Sequence, residues 1–125
     1  MVSSVIATGE GIWRGILPLF VRQINVESGF NPQALSPAGA EGIAQFLPGT
    51  AAALGIDAWN PVAALRAAAR LMASYVHQYG DDAQALAAYN AGSGSLQGAL
   101  NRCGIRWLSC LPLETQHYIH LVLDT

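Results

Sequence analysis

The chain has 125 residues, 52% hydrophobic and 11% charged, with a formal net charge of -2. That length supports one domain with one core and is too short for two. The weak negative charge excludes the basic field that nucleic acid or an anionic membrane would need, so neither is expected as a partner.

The N-terminus lacks the basic and apolar regions of a signal peptide, and no apolar run approaches membrane-spanning length. A mature form, a domain cut from something longer, or a protein exported by another route is expected. Leu17, Phe20, Val21, Ile24 and Glu27 follow three-and-four spacing, which predicts a first helix ending about Ser28 with Gly29 as its left-handed stop. Pro18 either opens this helix or kinks a longer one beginning near Trp13. Asn31 to Ala40 reads as loop, followed by a short helix over Glu41 to Phe46 and another from Pro48 to Leu54, stopped by Gly55.

The clearest helix runs from Pro61 to Tyr79, capped by Asn60, ended by Gly80 and striped by Val62, Leu65, Ala69, Met72, Val76 and Tyr79. Asp81 or Asp82 caps a helix over Ala83 to Ala91, broken by Gly92 and Gly94. Ser95 to Arg102 makes a short helix, and Pro112 introduces a last one to about Leu123. No strand-type alternation, repeat or low-complexity linker is seen, and the many alanines favour helix, so the fold class is mainly α. Cys103 and Cys110 sit seven apart in a loop-like stretch, which suits either a disulfide or two free thiols. His117 and His120 share a helix, but no matching carboxylate or thiolate cluster joins them, so no metal site is expected.

Glu27 extends the apolar stripe of the first helix at its C-terminal end. Burial and the negative end of the helix dipole would both raise its pKa, as a general acid near neutral pH requires. On position alone, a carboxylate reaching solvent at a frayed helix end is the better fit. Of the other acids, Asp81 and Asp82 read as caps, Glu10 and Asp124 lie near the termini, and Glu41 fits a solvated first turn.

Three blocks alter that balance. Glu27-Ser28-Gly29-Phe30-Asn31-Pro32 leads through Ser36-Pro37-Ala38-Gly39-Ala40 to Gly42-Ile43-Ala44-Gln45-Phe46-Leu47-Pro48-Gly49-Thr50-Ala51. Ala87-Ala88-Tyr89-Asn90-Ala91-Gly92 follows, trailed by Leu113-Glu114-Thr115 and Tyr118-Ile119. In order and separation these blocks resemble the lytic transglycosylase family, of lysozyme-like α fold. They span about Val21 to Val122, within a single domain of residues 1–125 whose motif-bearing part runs from about 16 to 123.

The resemblance implies non-hydrolytic cleavage of the β-1,4 bond between N-acetylmuramic acid and N-acetylglucosamine in peptidoglycan. Glu27 would be the only catalytic carboxyl, first acid and then base, where ordinary glycosidases use two. It further implies that Ser36, Gln45, Phe46, Tyr89, Asn90, Glu114 and Tyr118 line the glycan site. The Tyr89 phenol would orient the catalytic carboxyl and the acetamido group. From the residues alone, Ser36 also fits turn chemistry before Pro37, Glu114 a favourable first-turn charge, and Tyr89 and Tyr118 core packing. The family often has Met beside its cleft glutamine, whereas Ala44 precedes Gln45 here and Leu47 follows it by two.

No cofactor is expected. The partner is peptidoglycan glycan strands, met by a monomer alone or within a larger cell-envelope or phage-tail assembly, in an extracytoplasmic or virion-associated location. A goose-type lysozyme would need a second acid, for which Asp57 and Glu41 are the candidates. A non-catalytic binding module would usually have lost the acid, which is present here as Glu27.

Overall fold

Local capping chemistry sets most of the helix ends. In the computed structural model, which describes residues 17–124, six α-helices follow one another. They are α1 (Leu17–Ser28), α2 (Pro48–Leu54), α3 (Pro61–Tyr79), α4 (Asp82–Ala91), α5 (Ser93–Cys103) and α6 (Leu113–Leu123), with a 3-10 segment over Gly104–Cys110. The Trp13 alternative for the first helix, and Glu10, lie outside the described residues. The chain divides into two compact units, one ending at Arg70 and the other starting at Leu71, with the boundary inside α3.

In the first unit, α1 stops where expected. Gly29 takes a left-handed φ of 63° and its N–H donates to the Asn25 carbonyl at 2.9 Å. Pro48 opens α2, and Gly55, also left-handed, donates back to the Ala51 and Ala52 carbonyls to close it. The Asn60 side chain caps α3 by accepting from the N–H groups of Val62 and Ala63 at 3.1 and 3.2 Å. Buried apolar residues include Phe20, Ile24, Ile43, Phe46, Ala64 and Leu65.

The short helix expected over Glu41 to Phe46 does not form. Glu41 and Phe46 instead exchange both backbone hydrogen bonds, at 2.9 and 3.2 Å. Gly42 and Gln45 between them have φ of 79° and 55°, which no right-handed helix accommodates. Glu41 also bridges to Leu35, so the chain from Leu35 to Phe46 folds into a double loop around isolated antiparallel bridges. Among the described residues these bridges are the extent of β structure.

In the second unit, Asp81 caps α4 by accepting from the Ala83 N–H at 3.0 Å. Ala85, Leu86, Ala87 and Ala88 are all buried, so the middle turn of α4 is enclosed on every side. Gly92 alone separates α4 from α5, which begins at Ser93 rather than Ser95 and takes Gly94 into its first turn. Cys103 and Cys110 are joined as a disulfide across the 3-10 segment, with their Cα atoms 6.6 Å apart. That settles the alternative the spacing had left open.

Candidate active site

The buried face of α1 carries Leu19, Phe20, Gln23 and Ile24, and three-and-four spacing continues it to Glu27 in the last turn. Glu27 itself is half-buried. Val21, expected on this face, is 40% exposed; Gln23 is inside instead. Its amide is completely enclosed, and neither Nε2 nor Oε1 has a hydrogen-bond partner. Leaving a polar group in that condition costs about 1–3 kcal/mol. The sequence offered one signal for it, a polar residue in an apolar row four places before the candidate acid.

The end of α1 is fixed by the residue after Glu27. The Ser28 hydroxyl donates to the carbonyl of Ile43 at 2.6 Å, fastening the helix terminus to the double loop. Gly29 and then Phe30 both adopt left-handed backbone, with Phe30 at φ 62°, and turn the chain sharply off the helix. A non-glycine residue in that region stores strain, of the kind that clusters at functional sites.

Gln45 is the second such residue, and its side chain explains how the conformation is held. Nε2 donates to the carbonyls of Gly42 at 2.9 Å and Ala34 at 3.2 Å. Two carbonyl acceptors around one atom require the NH2 group there, which leaves the amide oxygen to accept from a ligand. Gly42 lies beneath, buried, and a Cβ on it would collide with the Ala58 carbonyl oxygen.

Ser36 closes the neighbouring turn, accepting from the Ala40 N–H at 2.9 Å, while Ser36 and Ala40 also pair through the backbone at 3.0 Å. Its hydroxyl proton is still available to donate. Phe46 is only 3% exposed and packs inward, so Leu47, 49% exposed, is the apolar group that reaches the surface at this point. Asp57, a candidate second acid, accepts from the Trp59 N–H at 3.0 Å in a local turn, and Glu41 is half-buried at its bridge.

In the second unit, Tyr89 and Asn90 lie half-buried at the end of α4. The Thr115 hydroxyl donates to Asn90 Oδ1 at 2.8 Å, joining this end of α4 to the first turn of α6. Thr115 is 2% exposed, whereas its neighbour Glu114 is exposed. Tyr118, one turn further on, is 6% exposed and packs in the core of the unit. His120 pairs with Asp124 at 3.1 Å, and among the described residues no group of three His, Cys, Asp or Glu side chains gathers around a common point. The structure thus brings Ser28 to Ile43 and Asn90 to Thr115, two links that the sequence pattern alone did not specify.

The chain matches the family described as Transglycosylase SLT domain over residues 8–105. It is similar to membrane-bound lytic murein transglycosylase D of Escherichia coli (strain K12), 35% identical over 112 residues, which is 78% of this chain and 25% of that protein. The transglycosylase of Enterobacteria phage PRD1 is 37% identical over 71 residues, covering 56% of this chain and 27% of that one. Among solved structures, an inactive mutant of the lytic transglycosylase Slt from Pseudomonas aeruginosa matches with a TM-score of 0.69 at 27% identity, over 86% of this chain and 20% of that one. The chain therefore spans between 20% and 27% of the length of these relatives.

Proposed function

The chain belongs to the Transglycosylase SLT domain family, and from that premise we propose that it cleaves the β-1,4 MurNAc-GlcNAc bond of peptidoglycan without consuming water. Glu27 protonates the leaving oxygen. The substrate's acetamido group stabilises the cationic sugar as an oxazolinium-type intermediate. Glu27, now a carboxylate, takes the proton of the C6 hydroxyl, and that oxygen closes onto C1 to give a 1,6-anhydromuramoyl end. One residue serves in both steps, so it must be held in place through a change of protonation.

The observation that carries this reading is the Ser28–Ile43 bond, which fixes the helix end bearing Glu27 against a strained loop inside the family match. Such rigidity is what positioning a general acid demands. The relative from Pseudomonas aeruginosa, called an inactive mutant, supports the importance of a single side chain in that enzyme. On this chain the Gln45 amide oxygen is a proposed acceptor for a sugar N–H or O–H, and Ser36 a proposed donor. Asn90, whose Oδ1 is occupied by Thr115, offers its amide N–H groups. Tyr89 and Glu114 are proposed sugar contacts, while Phe46 packs within the first unit and Tyr118 within the second. The hydrolase alternative gains no support from Asp57, whose carboxylate holds a local turn.

The proposal extends to context. The family match runs across the boundary at Arg70, which supports one catalytic domain. Relatives include a phage transglycosylase and a membrane-bound murein transglycosylase, so glycan strands are the proposed partner, reached outside the cytoplasm or from a virion. Among the described residues no helix is long and apolar enough to cross a membrane. The test is mass spectrometry of soluble products from purified peptidoglycan with the unaltered chain and with Glu27→Gln. Anhydro-muropeptides that vanish in the variant support the proposal. Reducing ends that have gained water turn it into a hydrolase, and sacculus binding without products turns it into a binding module.

A further inference from the structure

Gln23 has no part in the scheme above, yet it is fully buried on α1 beside Phe20 and Ile24 with both amide atoms unbonded. Methionine has nearly the same shape and would fill this space without stranding a polar group. The group placed to use the amide is one turn further on. Residues four apart on a helix lie one above the other, and side chains lean toward the helix N-terminus, so Glu27 leans back over Gln23. The structure shows no bond between them, and at that spacing a side-chain rotation or one bridging water would join the two ends.

The chemistry of an amide matches what Glu27 has to do. As an acid, Glu27 donates through its O–H; as a carboxylate, it only accepts. A primary amide carries both an acceptor and a donor, so Oε1 can take the hydrogen bond of the acid and Nε2 can give one to the carboxylate. A purely donating or purely accepting side chain would serve one state and oppose the other.

We infer that Gln23 is a positioning residue that holds the Glu27 carboxyl in both of its protonation states. The inference rests on the proposed reading of Glu27 as acid and then base. The other ionisable groups on α1 and on the double loop tied to its end are Arg22 and Glu41.

Two measurements test it. Gln23→Met keeps the volume and removes both hydrogen-bonding atoms. The expected result is an equal or higher Tm, a KM within about twofold, and a kcat lower by roughly 10- to 100-fold. A variant as active as the original overturns the inference and leaves Gln23 a packing residue. In the second measurement, the side-chain 15N–H2 signals of Gln23 are followed by NMR through a pH titration. They should move with the titration of Glu27, lose that movement in Glu27→Gln and keep it in Glu41→Gln. Signals that ignore Glu27 overturn the inference, even if Gln23→Met should fail to fold. Because this arm needs no turnover, a chain that releases no anhydro-product refutes the proposed function separately.

Discussion

The hydroxyl of Ser28 donates to the carbonyl of Ile43, so the residue directly after Glu27 is tied to a loop 15 residues further along the chain. Ile43 is completely buried, and its carbonyl would lose this partner on truncation of the serine. Ser28→Ala is therefore expected to cost about 1–3 kcal/mol of stability. In the proposed reaction kcat should fall by about tenfold or more, because the helix end carrying the acid is released. Denaturant titration and turnover of peptidoglycan check the two effects, and Ser28→Thr, which keeps the hydroxyl, should recover most of both.

Gly42 has a left-handed φ of 79° and the Ala58 carbonyl where a side chain would begin. Gly42→Ala must accept the backbone strain and displace main chain as well. Together these are expected to cost about 2–4 kcal/mol, read as a lower denaturation midpoint with an unchanged slope. By contrast, Gly49 has open space at its Cβ position, and Gly49→Ala inside α2 should be neutral or slightly stabilising.

Thr115 is the buried partner of Asn90. Thr115→Val retains the shape and removes the donor, leaving Asn90 Oδ1 without its bond. A loss of about 1–2 kcal/mol is expected, together with weaker substrate binding if Asn90 contacts sugar as proposed. Thr115→Ser keeps the donor and should preserve binding, so the pair of variants separates the hydroxyl's contribution from that of the methyl group.

Burial raises the Tyr75 phenol above its ordinary value of 10.0, repulsion from Tyr79 adds to this, and a hydrogen bond with Ser93 acts the other way. The folded chain therefore holds this proton more tightly than the unfolded chain does. The resulting stability is complete below the unfolded value and is lost as pH rises through the raised folded one. Tyr75→Phe should show a shallower loss of stability on the alkaline side of about pH 10, measured by denaturant titration across that range.

Helix ends were legible because their causes are local: Asn60 before Pro61, Asp81 before α4, and glycines at positions 29, 55 and 80 with positive φ. The double loop was not. Gly42 and Gln45 sit in what reads as a short helix, but both donate to the Ala34 carbonyl, and the Ala58 carbonyl leaves no room for a side chain at Gly42, constraints set by the fold rather than by neighbours in sequence. The same limit applies to the inner face of α1. Periodicity placed Val21 inside and passed over Gln23, because hydrophobic spacing cannot register a buried amide. Of the candidate site, the residues were visible in the pattern, but the bonds that orient them link positions 15 and 25 apart and arise only from the tertiary fold.

Gly92 donates to the Ala88 carbonyl to finish α4 and accepts from the Leu96 N–H to start α5, so one residue serves two helices. The joint has no slack. A residue inserted there would change the direction in which α5 leaves α4 and carry Leu96 and Ala99 off the buried side. Loop length at this point is thus set by the architecture rather than free to vary, and any tuning of the domain by insertion has to happen elsewhere.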